Sequence, residues 1–367
     1  MHVSRFPGFQ WEQMAETYSS RASAYRPPAP RGNLTIPGNH NRIDTMEKKI
    51  KAVILAAGKS RRMKSGFTKV VHKILGKEII NFLLDSLADA GIDGSDIIIV
   101  CGENIDEIKA VVKRNVQYAI QREQMGTADA LLSAKEYIKD FSGDLLVTVG
   151  DNPYITAEEL KKLISRHRGA QSQCTFISAV FPFTPPPYGR VIRGEKGEVT
   201  GVVEEIDATP EQLKIREVNS SIYIFDNDVV FPLLFKIDSN NAKGEYYLTD
   251  IIQLLKERNH TIEAVQADDY FISIGINNRW ELQQAQKKFN DARMKQLSIE
   301  KGITILQPET VTIEYNVEIG KDTVIYPSTY IASGTTIGCT CQIGPFVYLK
   351  GVEIKDNETV RYEKREK

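Results

Sequence analysis

A chain of 367 residues with a net charge of −1 and 26% charged residues has the length for a substantial core and about two domains. The balanced charge excludes a nucleic-acid binder or an anionic-membrane protein that works through excess basic charge, and no run reaches the ~18 apolar residues of a membrane span. The four cysteines, Cys101, Cys174, Cys339 and Cys341, contain no C-x-x-C pair; reduced, buried thiols in a cytoplasmic protein are expected.

Residues 1–46 are predicted to be a disordered extension: RPPAP stands at 26–30 among serines and glycines, with almost no periodic apolar pattern and no apolar h-region. Met46, just before the lysine-rich start of the first strand, is a candidate translation start.

From there short all-apolar runs alternate with helical spacing. Strands are predicted at 52–55, 97–100, 118–120 and 145–149. Ile79, Phe82, Leu83 and Leu87 mark one intervening helix, and Ile105, Ile108, Val111 and Val112 another. Continuous β-branched strands between amphipathic helices predict a mostly parallel sheet covered on both faces. Ligands of such sheets bind at the carboxyl ends of the strands, where the loops after Leu55 and Val149 fall.

The first of these loops is VILAAGKSRRMKSGFTK, residues 53–69. Leu55, Ala56, Ala57 and Gly58 leave room for a ligand to approach the backbone, and loop N–H groups attract an anion. Arg62 and Lys69, seven positions apart, suit a polyphosphate. The loop lacks G-x-G-x-x-G and G-x-x-x-x-G-K-[ST], which disfavours a dinucleotide-dependent dehydrogenase and a P-loop enzyme.

Three further loops carry candidates. In QREQMGTA, Gln121, Gly126 and Thr127 can pair with a base edge or simply form a capped strand-to-helix connection. In VGDNP, Asp151 can hold Mg²⁺ against a nucleotide or cap a turn. The strand-rich stretch 174–225 contains Gly189, Glu204 and Asn219, able to satisfy sugar hydroxyls or to sit at surface turns. A helix over 248–257, a strand over 270–274 ending in GINNR, and a helix over 279–296 follow; Asn277 can supply a neutral oxygen ligand or simply be a turn or cap residue.

After Gly302 the period changes. Ile313, Ile319, Ile325, Ile331, Ile337, Ile343 and Leu349 recur every six residues, with small or β-branched residues (Val317, Thr323, Thr329, Thr335, Cys341, Val347) four places after the preceding isoleucine. This is the hexapeptide repeat of a parallel β-helix, here a little more than two coils.

Residues 51–351 resemble the bifunctional N-acetylglucosamine-1-phosphate uridylyltransferase/glucosamine-1-phosphate acetyltransferase family. LAAGKSRRMKSGFTK, QREQMGTADA, VGDNP, YGRVIR, GVVEEIDAT, EVNSSIYIF, GEYYLTDII and GINNR occur in the family's order. The resemblance implies a Rossmann-like α/β nucleotidyltransferase domain followed by a left-handed β-helix. It implies that Arg62 and Lys69 face phosphates, that Gln121, Gly126 and Thr127 hold uracil, and that Asp151 and Asn277 bind Mg²⁺. Gly189, Glu204 and Asn219 would hold the amino sugar, with Thr249 nearby.

The expected organisation is an extension (1–46), a nucleotidyltransferase domain (47–300), a truncated β-helix (301–360) and a charged tail (361–367). The expected reaction joins UTP and N-acetylglucosamine 1-phosphate, without acetyl transfer, whose site the family places on later coils. The short β-helix is expected to cap the catalytic domain or to serve homo-oligomerisation. Ser60, Arg61, Thr68, Val149 and Ser221 depart from the family pattern, so another sugar phosphate, or dTTP or CTP as donor, stays open as an alternative; a non-catalytic nucleotide-sugar binder is a third reading, against which Arg62, Lys69, Asp151 and Asn277 stand.

Overall fold

The computed structural model describes residues 48–103 and 105–367; the extension predicted for 1–46 lies outside them. The strands and helices in chain order are β1 (Ile50–Leu55), a small hairpin of β2 (Lys73–Ile74) and β3 (Lys77–Glu78), α1 (Ile79–Asp89), β4 (Ile97–Cys101), α2 (Ile105–Val111) and β5 (Gln117–Ile120). Next come α3 (Thr127–Leu132), α4 (Lys135–Ile138), β6 (Asp144–Val149), α5 (Ala157–Ala170), β7 (Cys174–Val180), β8 (Arg190–Arg193) and β9 (Val199–Val203). β10 (Glu217–Asp226), α6 (Asn227–Leu234), α7 (Asp250–Lys256), β11 (Ile262–Gln266) and α8 (Arg279–Lys301) complete the α/β part.

The main sheet has the order β11-β7-β10-β6-β1-β4-β5, with the β8–β9 hairpin attached to β10. β10 runs antiparallel to β6 and β7, while β1, β4, β5, β6, β7 and β11 run one way. The β-branched runs are buried on both faces, as Ile97, Ile98, Ile99 and Val100 show at 0% exposure. Val53, Ile98, Val100, Leu145, Val147, Phe176 and Phe225 pack one face against α3, α6 and α7. Helix α5 starts where Thr156 accepts the Glu159 N–H at 3.2 Å and stops at Gln171 in the left-handed region, φ 49°.

One expectation changes here. Residues 270–274 form a 3₁₀ turn, Tyr270–Ser273, because Asp269 caps it and the Asn152 side chain claims the Ile272 carbonyl. The strand of this region is β11, whose half-buried, partly polar Ile262–Gln266 pairs with β7 at the sheet edge.

The hexapeptide segment forms three stacks of short parallel strands. Ile305, Ile325, Ile343 and Val360 succeed one another on one face; Ile313, Ile331 and Leu349 on the second; Ile319, Ile337 and Ile354 on the third. Met294 and Leu297 of α8 enter the same core. The stack exceeds the little more than two coils read from the sequence, and the expected tail at 361–367 is part of it: Lys364–Glu366 pairs with Val347–Lys350. Ile354 follows Leu349 by five residues, not six, and Arg365 stands in register with Leu349, so the period fails although the coil continues.

The β-helix is joined to the α/β part by Leu75, whose carbonyl accepts the Tyr315 N–H at 3.1 Å, and by Arg293, which donates to the Val317 carbonyl at 3.1 Å. Phe82 packs between Phe289 and Tyr315 at ring-centre distances of 4.8 and 5.3 Å. Ile331 is fully buried in the middle of its column. Ile331→Ala should therefore lower stability by about 2–5 kcal/mol, the range for emptying a packed core position, read as a reduced urea midpoint by circular dichroism.

Candidate active site

The site is built at the carboxyl ends of β1 and β6. The ladders of β1 with β4 and with β6 each run one residue past the strand, since Ala56 N–H donates to Val100 O at 2.8 Å and Gly150 N–H to Leu55 O at 2.9 Å. A Cβ at Gly150 would crowd Ala56 and Ile54 at 3.2 and 3.3 Å, so the glycine lets the two loops diverge from closely packed strands.

The loop after β1 turns through Ser60 (φ 52°), a 3₁₀ turn at Arg61–Met63 and Lys64 (φ 48°). It closes on itself where Ser60 Oγ accepts the Lys69 N–H at 2.8 Å. Thr68 N–H donates to Glu107 at 2.7 Å, a bond that proline in its place cannot make. Ser60 Oγ and Thr68 Oγ1 lie 3.4 Å apart. Two departures from the family pattern are thus neighbours that close the loop together.

Lys69 carries the centre. Its ammonium ion-pairs with Asp151 and donates to Asn277 Oδ1 at 2.8 Å. The carboxylate and amide oxygens proposed as metal ligands on sequence grounds therefore meet on one cation. Gly275 lies underneath, where a Cβ would press on the Asp151 carboxylate at 2.9–3.1 Å, and Ile276 N–H donates to Asp151 O at 2.9 Å. Asn277 is fixed by Glu281, which accepts its backbone N–H at 2.6 Å, and Glu281 is itself engaged by Asn278 in a cap at the start of α8. Arg62 is exposed on the 3₁₀ turn, and its charge reaches Tyr188.

Beside this centre a cleft of about 290 Å³ is lined by Ala56, Ala57, Gly58, Arg61, Thr68 and Gln124. Gln124 donates to the Ala57 carbonyl at 3.2 Å and ties the QREQMGTA segment to the first loop. Gln121 is buried, and its amide nitrogen is used by Gly126 O at 3.2 Å and Asp129 at 2.7 Å. Gly126 adopts φ 124° with its Cα against the Tyr246 backbone, which a side chain would overlap. Thr127 Oγ1 accepts the Leu248 N–H at 2.9 Å instead of capping α3. The segment expected to hold the base is thus laced to GEYYLTD.

The candidate sugar residues also converge. Gly189 O accepts the Asn219 N–H at 2.9 Å, and Thr249 Oγ1 donates to Glu204 Oε1 at 3.2 Å. A Cβ at Gly189 would meet Val202 at 2.9 Å and approach Glu204 at 3.5 Å. Register in β10 shifts between Asn219 and Tyr223, with Ser221 at φ 57°; Asn219, still paired with Ser178, is the last residue of the ladder before this bulge. Burial raises the Glu204 carboxyl above the usual glutamate range, against the opposing bond from Thr249. The buried Tyr247 hydroxyl has no hydrogen-bond partner among the described residues.

Several site residues carry no local signal of their role. Tyr188, next to Gly189, is pushed up by burial and then by Glu281 and Asp151, which places it between the Gly189 loop and the Asp151 centre. Arg279 donates to Met63 O at 3.2 Å and contacts His72 Nδ1 at 3.3 Å. Burial and then Arg279 lower the His72 pKa, favouring a neutral imidazole that accepts from the guanidinium. The last residue of GINNR thereby clamps the first loop on both sides of Lys69.

Asp250, the first residue of α7, has a carboxyl raised to about 6 by burial and then by Asp238, Glu204 and Asp207. An unfolded aspartate ionises near ~3.9, so the folded chain holds this proton to higher pH and loses stability as pH rises from about 4 to about 6. Asp250→Asn should add about 1 kcal/mol at neutral pH after allowance for solvent screening, and nothing below about pH 4. Urea denaturation at the two pH values checks this.

The Nucleotidyl transferase family model matches residues 51–287. The bifunctional protein GlmU of Exiguobacterium sp. (strain ATCC BAA-1283 / AT1b) is 40% identical over 314 residues, covering 84% of this chain and 68% of its own. That of Clostridium novyi (strain NT) is 40% identical over 313 residues, covering 83% and 68%. A crystal structure from Bacillus anthracis, of a protein named as a glucose-1-phosphate thymidylyltransferase and in complex with a sucrose, aligns with a TM-score of 0.53 at 18% identity, over 65% of this chain and 94% of that one. This last likeness is one of fold.

Proposed function

We propose that this chain, which belongs to the nucleotidyl transferase family and to the GlmU group within it, transfers a uridylyl group from UTP to N-acetylglucosamine 1-phosphate and releases pyrophosphate. The chain is a nucleotidyltransferase; the choice of nucleotide and sugar is our reading. It is supported above all by one observation: Asp151 and Asn277 meet on the ammonium of Lys69, whose neighbour Thr68 lines the Ala56–Gly58 cleft.

In this reading Leu55, Ala56, Ala57 and Gly58 admit the nucleotide backbone to backbone, and Gln121, Gly126 and Thr127 flank the base. Because the Gln121 amide nitrogen is engaged within the protein, its oxygen is the group offered to a base N–H. Glu204 and Asn219 accept and donate to sugar hydroxyls, and Gly189 gives the ring access.

A phosphate oxygen of the sugar phosphate attacks the α-phosphorus in line, and the bond from that phosphorus to the bridging oxygen breaks as pyrophosphate leaves. The nucleophile is already an anion, so positioning and charge neutralisation dominate and no general base is required. Arg62 and Lys69 take up charge on the leaving pyrophosphate. Asp151 and Asn277 would hold Mg²⁺: a carboxylate and a neutral oxygen already gathered on one ammonium fit a hard cation that completes its shell with water and phosphate oxygens. When bound it neutralises the phosphates that meet at the reacting phosphorus.

A pyrophosphate-release assay across UTP, dTTP and CTP with N-acetylglucosamine 1-phosphate and glucose 1-phosphate tests this. UTP with the amino-sugar phosphate should give the highest kcat/KM. Asp151→Ala should lower its turnover by about a hundredfold or more, the scale of losing one electrostatic anchor. A preference for dTTP with glucose 1-phosphate would overturn the substrate assignment, and unchanged Mg²⁺-dependent turnover in Asp151→Ala the metal assignment.

A further inference from the structure

One side chain holds the two oxygens that the reaction reserves for a metal. The Lys69 ammonium ion-pairs with Asp151 and donates to Asn277 Oδ1 at 2.8 Å. The Lys69 and Asp151 side chains are only 19% and 12% exposed, so charges at this point are weakly screened and attract or repel strongly. A divalent cation seated on the same two oxygens would lie in contact with the ammonium. The two cations are alternatives.

We propose that Lys69 is an exchangeable counterion: in the nucleotide-free protein it fills the cation position between Asp151 and Asn277, and a triphosphate draws it off and so opens that position to the metal. The inference rests on Asp151 and Asn277 being the metal pair, and deepens that reading by giving the site an order of assembly.

The loop is built for a side-chain move without a backbone move. Lys69 N–H is held by Ser60 Oγ at 2.8 Å, and the preceding N–H, of Thr68, by Glu107 at 2.7 Å, so both ends of the Thr68–Lys69 peptide are anchored. From that anchor a flexible four-carbon stem carries a compact charge. Thr68 itself lines the cleft with Gly58 and Arg61, so an ammonium leaving Asp151 has the proposed polyphosphate position within reach of the same stem. Phosphate oxygens replace the carboxylate as its partner, and the two ligand oxygens are left unneutralised in a poorly screened place, which favours a divalent cation. Linkage makes the effect mutual, since nucleotide must raise metal affinity by the factor by which metal raises nucleotide affinity.

The test uses Mn²⁺ alone, titrated into the nucleotide-free full chain, with free Mn²⁺ read by electron paramagnetic resonance. Lys69→Gln should bind Mn²⁺ at least about tenfold tighter than wild type, as expected when a like charge leaves a partly buried site. Lys69→Arg, which keeps the charge, should stay as weak as wild type, and adding Asp151→Ala to Lys69→Gln should abolish the gain. Equal affinity of wild type and Lys69→Gln, or no binding by either, would overturn the exchange, as would tightening by Lys69→Arg. A gain that survives Asp151→Ala would overturn the metal pair as well, which separates the failure of this inference from that of the assignment beneath it.

Discussion

The meeting of Lys69, Asp151 and Asn277 is the constraint around which the rest of the α/β part is arranged. A partly buried carboxylate needs a positive partner, and here the partner comes from the loop after β1, the carboxylate from the loop after β6, and a second oxygen from the turn before α8. Parallel strands bring the first two together because neighbouring carboxyl ends emerge side by side. The third is delivered by the capped start of α8, where Glu281 holds the Asn277 backbone. None of the three would be placed correctly by its own segment alone.

Around this junction the loops are sewn together in series by side-chain hydrogen bonds. Gln124 joins the base-side segment to the first loop, Thr127 joins that segment to GEYYLTD, Thr249 reaches Glu204, and Arg279 returns to Met63. Each bond alone is worth about 0.5–1.5 kcal/mol, but in series the first loop, QREQMGTA and GEYYLTD are each fixed from two sides. That is the form of pre-organisation a reaction driven by positioning needs. The β-helix supports the same frame from outside, since α8, which begins at the site, supplies Met294 and Leu297 to the β-helix core.

What was legible in the sequence follows from the range of the forces involved. The run Ile97–Cys101 reads as a strand because both its faces are buried, and Ile313 to Leu349 reads as a coil because each turn repeats the same inward contact. The turn at Tyr270–Ser273 misled because Ile272 is buried and Tyr270 and Phe271 are half-buried, while its backbone is set by Asp269 and by Asn152 from another loop. The last coil was hidden by one missing residue and by a charged side chain in an aliphatic register. In the site, Lys69 and Asp151 carried their own chemical signal. Pairing Asp151 with Asn277 came only from resemblance, and Tyr188 and Arg279 act through contacts that no local pattern encodes.

The proposed exchange of an ammonium for a metal at one position between Asp151 and Asn277 can be seen crystallographically. Anomalous-scattering crystallography of the full chain with Mn²⁺ and a non-hydrolysable UTP analogue tests it most directly. A single Mn²⁺ peak is expected in contact with the Asp151 carboxylate and the Asn277 amide oxygen, with the Lys69 ammonium moved onto the phosphates. Mn²⁺ bound on other residues, with Lys69 still between Asp151 and Asn277, would contradict it.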